Sequence, residues 1–221
     1  MQADIDQLFI LPPCAGQVEI LRAEQDFLLI NKPTRLLSVP GRHPQNRDSV
    51  ISRLLPDYPG AAIVHRLDFD TSGVMVIPLN KPALSHISKQ FQARTVHKHY
   101  TAVVAGLMVP DEGVIDLPIA SDEGPKYKIC QDTGKPSVTE YKVIGRDEAA
   151  RTTRVFLHPI TGRSHQLRLH LHALGHPILG CEFYGGEFAK VAERLLLHAT
   201  DLRFVQPVSG VEVFIESSAD F

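Results

Sequence analysis

No stretch of about 18 consecutive apolar residues occurs in the chain, so no segment is long enough to cross a bilayer as a helix. The N-terminus, MQADIDQLFILPPCAGQ, lacks the basic start and apolar run of a secretory signal. No membrane association is expected, and the chain reads as cytoplasmic. Cysteine is scarce: Cys14, Cys130 and Cys181 are odd in number, widely spaced and without a CxxC pair. That argues against a disulfide framework and a thiolate zinc site and favours free thiols. Positive charge is not in excess either. Lys and Arg number 23 against 25 Asp and Glu, leaving a formal net charge of -2 and a pI near 6.6. A surface coated in positive charge, the footprint of a non-specific nucleic-acid binder, is thereby excluded. Internal repeats and low-complexity linkers are also lacking.

What remains is a chain of 221 residues with 43% hydrophobic content, enough for one sizeable core and long enough for two small domains. A single domain over residues 1–221 is the expectation, with about 17 residues before the first strand and no separate N-terminal domain. Strand-like runs occupy Val18 to Leu21 and Phe27 to Ile30, with turn residues Glu24 to Asp26 between them. Asn31 to Pro44 reads as loop, and Asp48 or Ser49 caps a short helix through Leu55. Further strands are expected at Val74 to Ile77, Tyr100 to Val104, Val138 to Ile144, Thr152 to Leu157, Leu195 to Phe204 and Val211 to Ile215. Pro82 suits the first turn of a helix to about Ala93, with Leu84, Ile87, Ser88 and Phe91 on one face. Many strands and few helices point to an α+β class with a large, mainly antiparallel sheet and flanking helices.

A second helix is expected from Ser164 to Leu174, closed by Gly175. At about 100° per residue, Leu167, Leu171 and Leu174 share one side and His165, Arg168 and His172 lie roughly opposite. The polar side could face a cleft or water. Basic residues also cluster, with His86, Lys89, Arg94, Lys98 and His99 in one stretch and Arg151, Arg154, Arg163 and Arg168 in another. These suit a local basic groove or an ordinary solvated surface.

The segment His65-Arg66-Leu67-Asp68-Phe69-Asp70-Thr71-Ser72-Gly73 places two carboxylates and two cations between apolar runs, on a loop feeding a strand. Asp68 and Asp70 lie two apart and point to the same side if the segment is extended, so the residues alone leave both as candidate catalytic carboxylates. HRLDFDTSG resembles the HRLDxxTSG signature of the pseudouridine synthases that act on ribosomal large-subunit RNA and tRNA. NKPTRLLSVPGR, VHKHYTAVVAG, TGKPSVTEY, PITGRSHQLRLHLHALGHPILG and RLLLHA agree with the same family in order, covering nearly the whole chain from Val18 onward. The motifs are most similar to those of short members acting on both 23S ribosomal RNA and a tRNA anticodon stem-loop.

The resemblance implies a sheet with a central RNA-binding cleft, a flipped uridine, and catalysis by Asp68, with Arg168 as its cationic partner and Tyr100 as the active-site tyrosine. It implies that Arg66 fills the space left by the flipped base, and that His65, Arg163, His165 and Gln166 contribute to substrate binding. No cofactor and no metal are implied, the partner is RNA, and a monomer is expected. Two departures from the family pattern stand out: Arg35, where glycine is usual, and Cys181, where aspartate usually follows GHPILG.

Two other classes compete. His165, His170, His172 and His176 could furnish a metal-dependent hydrolase, although His170 points about 140° from His165 on one helix. A non-catalytic RNA-binding module is the third reading, resting on the basic clusters alone.

Overall fold

A computed structural model describes residues 9–221. Residues 1–8, part of the segment weighed against a secretory signal, lie outside it. Among the described residues, eleven strands and three α-helices alternate irregularly, an α+β arrangement, and no helix is long and apolar enough to cross a membrane. The chain divides into two compact units, one running to Val96 and resuming at Asp201–Ser217, the other spanning His97–Thr200 with Ser218–Phe221.

In the first unit, β1 (Glu19–Ala23), β2 (Phe27–Lys32) and β3 (Ser72–Pro78) pair antiparallel in chain order. Strand β10 (Leu197–Val205) lends its second half to this unit and pairs antiparallel with β11 (Glu212–Glu216). The runs FLLI and VMVI are buried at every position. This explains why they read as continuous apolar stretches and not as alternation, since both faces of these strands are covered. One face carries Phe27, Leu29, Val74 and Val76, which meet Ile87 and Phe91 of helix α2 (Lys81–Ala93) and Leu202, Phe204 and Val213. Helix α2 starts where the sequence places it: the Asn80 side chain accepts from the Ala83 N–H at 2.9 Å, and Pro82 lies in the first turn. Its far end is closed by Arg94 in the left-handed conformation, φ 58°. The short helix α1 (Val50–Leu54) is capped by Ser49, whose hydroxyl accepts from the Ser52 N–H while the Ser52 hydroxyl accepts from the Ser49 N–H. The alternative cap, Asp48, instead pairs with Arg53 at 2.6 Å.

In the second unit, β4 (His97–Ala105), β9 (Thr152–Pro159), β8 (Val138–Asp147) and β5 (Glu112–Asp116) lie side by side, all antiparallel. The first half of β10 belongs here, with Thr200 Oγ1 2.7 Å from Thr101 Oγ1 of β4. Strand β9 alternates without exception: Thr153, Val155, Leu157 and Pro159 are buried, and Thr152, Arg154, Phe156 and His158 face outward. The inner face packs with Leu167, Leu169 and Leu171 of helix α3 (Gln166–Ala173). A two-stranded hairpin, β6 (Ile119–Ser121) and β7 (Tyr127–Ile129), and β5 itself were not expected from sequence; each is too short for its apolar residues to establish a period.

Helix α3 corrects the amphipathic reading. All residues from Gln166 to Leu171 are buried, including Arg168 at 2% exposure and His170 at 0%, whereas Leu174, expected on the packed side, is 40% exposed. The helix is enclosed around its circumference at its N-terminal end and opens only in its last turn, so its exposure varies along its length more than by face. Its start also shifts: Ser164 is outside it, and His165 takes the left-handed conformation, φ 56°, immediately before it.

The T-shaped Phe27–Phe204 pair, with centroids 5.3 Å apart and Phe27 fully buried, anchors the first unit's core. Phe27→Ala is expected to cost about 3–5 kcal/mol. A lower urea midpoint with unchanged slope is the measurement that checks it.

Candidate active site

The HRLDFDTSG segment forms a loop leading into β3, and the NKP segment at the end of β2 fastens it. Lys32 is completely buried, and its Nζ donates to the carbonyls of Leu36 at 2.7 Å, Pro33 at 2.9 Å and Phe69 at 3.2 Å. The Leu36 N–H also donates to the Phe69 carbonyl at 3.2 Å. Either side of Phe69, the Thr34 hydroxyl donates to the Asp70 carbonyl at 2.7 Å, and Ser38 exchanges hydrogen bonds with Leu67, its hydroxyl donating to the carbonyl at 2.8 Å and accepting from the N–H at 3.1 Å. The main chain on both sides of Asp68 is thus fastened, and the loop closes on itself where the Thr71 N–H donates to the Asp68 carbonyl at 3.2 Å. Asp68 and Asp70 are both half-buried.

His65 opens the motif. Its Nε2 accepts from the Val76 N–H at 3.1 Å, and its ring stacks on Phe91 at 4.7 Å and 21°. One imidazole nitrogen is therefore spent tying the start of the loop to β3. Arg66 beside it is exposed. Arg35, the departure from glycine, sits at φ 57°. The loop keeps the left-handed turn that glycine would adopt freely, and the arginine bears a cost of about 1 kcal/mol for it.

In the second unit, Tyr100 lies on the inner face of β4, opposite Leu157 of β9, and packs partly against the core. Arg168 emerges from the buried end of α3. Its Nε donates to Cys181 Sγ at 3.3 Å, and its guanidinium carbon lies 5.1 Å from the Phe183 ring centroid and 5.5 Å from that of Tyr184. The second departure from the family pattern, Cys181, thus falls directly on Arg168. His165, one turn earlier, has its Nδ1 2.7 Å from the Tyr184 hydroxyl and stacks on Phe183 at 5.4 Å.

Gln166 is a fastening in its own right. Its Oε1 accepts from the Thr161 hydroxyl at 2.7 Å and the Arg163 N–H at 3.0 Å; its Nε2 donates to the Val138 carbonyl at 2.9 Å and the Thr139 hydroxyl at 3.0 Å. Both of its amide ends are committed to protein, bracing the TGR turn that carries Arg163. Arg163 itself is half-buried, its Nε donating to the Pro136 carbonyl at 3.4 Å.

The histidines expected of a metal site do not gather. His170 Nε2 donates to the Leu117 carbonyl at 3.0 Å, so its Nδ1 accepts from the Thr139 hydroxyl at 2.9 Å, and neither nitrogen is available to a metal. His176 Nδ1 donates to the Ala105 carbonyl at 2.8 Å, and His172 is exposed. Among the described residues no group of three or more His, Cys, Asp or Glu side chains is placed to hold a metal ion. The second basic cluster also disperses into separate environments: Arg151 is exposed in a left-handed turn, Arg154 stacks over the Phe221 ring at 5.7 Å, and Arg168 is buried.

Several fastenings escaped sequence reasoning. Lys32 carries a readable signal, a lysine closing a strand that opens with the apolar run FLLI. Phe183 and Tyr184 carry none, since an FY pair in a loop looks like ordinary packing.

The sequence matches the RNA pseudouridylate synthase family over residues 26–173. It is 49% identical over 205 residues to the dual-specificity RNA pseudouridine synthase RluA of Yersinia pestis, covering 91% of this chain and 99% of that one. It is 48% identical over 213 residues to the enzyme of the same name from Escherichia coli strain K12, covering 95% and 97%. Among solved structures, human RNA pseudouridylate synthase domain containing 1 superposes with a TM-score of 0.78 at 30% identity, covering 93% of this chain and 86% of that chain. Human RNA pseudouridylate synthase domain containing 4 gives 0.71 at 28% identity, covering 91% and 88%.

Burial lowers the His170 pKa, outweighing the hydrogen bond to Leu117 and the field of Asp116, which both act to raise it. A histidine that binds its proton less readily when folded stabilises the fold fully above its unfolded value of 6.5, and the contribution declines as pH falls from there toward the lower folded value. Urea midpoints should therefore drop between about pH 7 and pH 5, and His170→Gln, which keeps a donor and an acceptor but does not titrate, should show a smaller drop.

Proposed function

Because this chain belongs to the RNA pseudouridylate synthase family, we propose that it isomerises uridines in 23S ribosomal RNA and in a tRNA anticodon stem-loop, with Asp68 as the catalytic carboxylate. The choice of Asp68 over Asp70 follows the HRLDxxTSG resemblance, and the observation that supports a catalytic loop here is its clamped backbone, pinned at Leu67, Phe69 and Asp70 by Ser38, Lys32 and Thr34. Catalysis rewards such fixing, because a reacting group already in place need not be ordered during the reaction.

The chemistry exchanges one bond for another. The bond from the sugar C1′ to ring N1 breaks, the base rotates, a bond from C1′ to C5 forms, C5 loses its proton and N1 gains one. Oxidation state is unchanged, so the balance calls for no redox cofactor. Asp68 in its ionised form acts on the substrate as nucleophile or by stabilising positive charge on the sugar. Arg168, carried by motif to the same reaction, supplies the cation of the site. Tyr100 stacks on the uracil, and its hydroxyl moves the C5 proton. A stacked uridine cannot reach Asp68, so the nucleotide is flipped, with Arg66 occupying the vacated position. Its exposure suits that role. Arg163 and His165 meet the RNA, while His65 and Gln166 serve by holding the segments that carry these groups. The enzyme works as a cytoplasmic monomer, residues 1–221 acting as one catalytic domain.

Two experiments test this reading. Asp68→Asn should lower pseudouridine formation by about a thousandfold or more while RNA binding, measured by filter retention, changes little. Normal turnover by this variant would reject the assignment of Asp68, whereas absence of turnover in the unsubstituted protein would leave the non-catalytic binding module standing. Mapping pseudouridine in RNA from cells with and without the gene should show sites missing from both 23S RNA and the tRNA anticodon stem-loop. Loss from only one RNA class would reject dual specificity.

A further inference from the structure

The loop that carries Asp68 lies against the segment following β2, and Arg35 stands where they join. Its neighbours in the chain both reach across: the Thr34 hydroxyl donates to the Asp70 carbonyl at 2.7 Å, and the Leu36 N–H donates to the Phe69 carbonyl at 3.2 Å. Further along, Ser38 binds Leu67, beside Arg66. Arg35 and Arg66 are therefore exposed cations on the opposing segments of one clamp, within the first unit. Arg35 holds φ 57°, a conformation that glycine takes freely and that a residue with a Cβ takes at a cost. Burial does not offset that cost, because the residue is exposed. A strained, exposed residue on a segment that fastens the reacting loop points to a task for its side chain.

Charge identifies the ligand. From Phe27 to Arg47 the chain contains Arg35, Arg42 and Arg47, all exposed, and no aspartate or glutamate. In a chain of net charge -2 this is a local positive stretch, and it is fastened to the loop of Asp68. Such a stretch suits the phosphates of RNA. Asp68 and Asp70 belong to the adjoining loop, and a guanidinium has enough N–H donors to meet a carboxylate of its own protein and a phosphate oxygen together. We propose that Arg35 is an RNA-binding residue added in this chain, its guanidinium meeting a backbone phosphate near the uridine on which Asp68 acts. The family pattern has glycine at this position, so Arg35 strengthens the grip on RNA and takes no part in the bond exchange. The proposal rests on the reading that this site binds structured RNA.

The test compares Arg35→Gly and Arg35→Lys, each also combined with Asp68→Asn so that affinity for a tRNA anticodon stem-loop is measured without turnover. Arg35→Gly should weaken binding roughly three- to tenfold and make the slope of log affinity against log salt shallower by about 0.7 to 0.9. Arg35→Lys keeps the charge and should keep the slope. In proteins that retain Asp68, the larger part of the loss should fall on KM and not on kcat. The urea midpoint of Arg35→Gly should be no lower than that of the unsubstituted protein, because glycine adopts φ 57° without strain. Unchanged affinity and salt slope in Arg35→Gly would overturn the contact, and so would a loss confined to kcat or one accompanied by a lower urea midpoint. Any of these results leaves the reading of Asp68 intact as long as the unsubstituted protein forms pseudouridine. Failure of the unsubstituted protein to bind or modify RNA would instead reject the proposed function and this inference with it.

Discussion

The Lys32 ammonium, taken entirely out of water, is compensated by the carbonyl dipoles of Leu36, Pro33 and Phe69. An ion in that setting is costly unless its protons are accepted, so the chain is obliged to bend its carbonyls inward around it. The bend fixes where residues 33–38 run, and they in turn fasten Leu67, Phe69 and Asp70 through Ser38, Leu36 and Thr34. A polar loop with no regular secondary structure thereby acquires the rigidity of a strand. Arg35 shows how firmly this shape is imposed, since it accepts a left-handed backbone where glycine would pay nothing.

The second unit meets the same problem, a cation held within a core, with contacts of a different kind. Arg168 rides on a helix whose first turns are buried on all sides and is met by sulfur and aromatic faces. Beside it runs a directed chain of hydrogen bonds. Gln166 donates to Thr139, Thr139 donates to His170, and His170 donates to the Leu117 carbonyl, a chain in which every proton has one consistent direction. Protonating His170 would reverse one link, which agrees in sign with the lowering of its pKa by burial.

Much of this was legible in the sequence wherever a residue's behaviour depends on near neighbours in the chain. Asn80 and Pro82 start a helix, Ser49 caps another, and the alternation of TTRVFLHP orients β9, because each signal acts within a few residues. The HRLDFDTSG segment announces a loop of unusual charge for the same reason. Periodicity misled at α3, where an Arg and two His on a leucine-bearing helix suggested a wet face. Burial there depends on what the rest of the unit places over the helix, and no local pattern encodes that.

By itself, then, the amino-acid order determined the longer elements, several of their caps and turns, the loop that carries Asp68 and the family to which the chain belongs, all properties of short segments or of segments in a set sequence. Tertiary structure alone decided that Lys32 binds the loop from behind, that His170 and Gln166 spend their polar atoms inside the protein, and that Cys181, Phe183 and Tyr184 surround Arg168. The longest of those contacts joins residues 53 positions apart. The choice among partners over such spans follows from which surfaces the core brings together, a quantity set by the whole packed unit and not by any stretch of it.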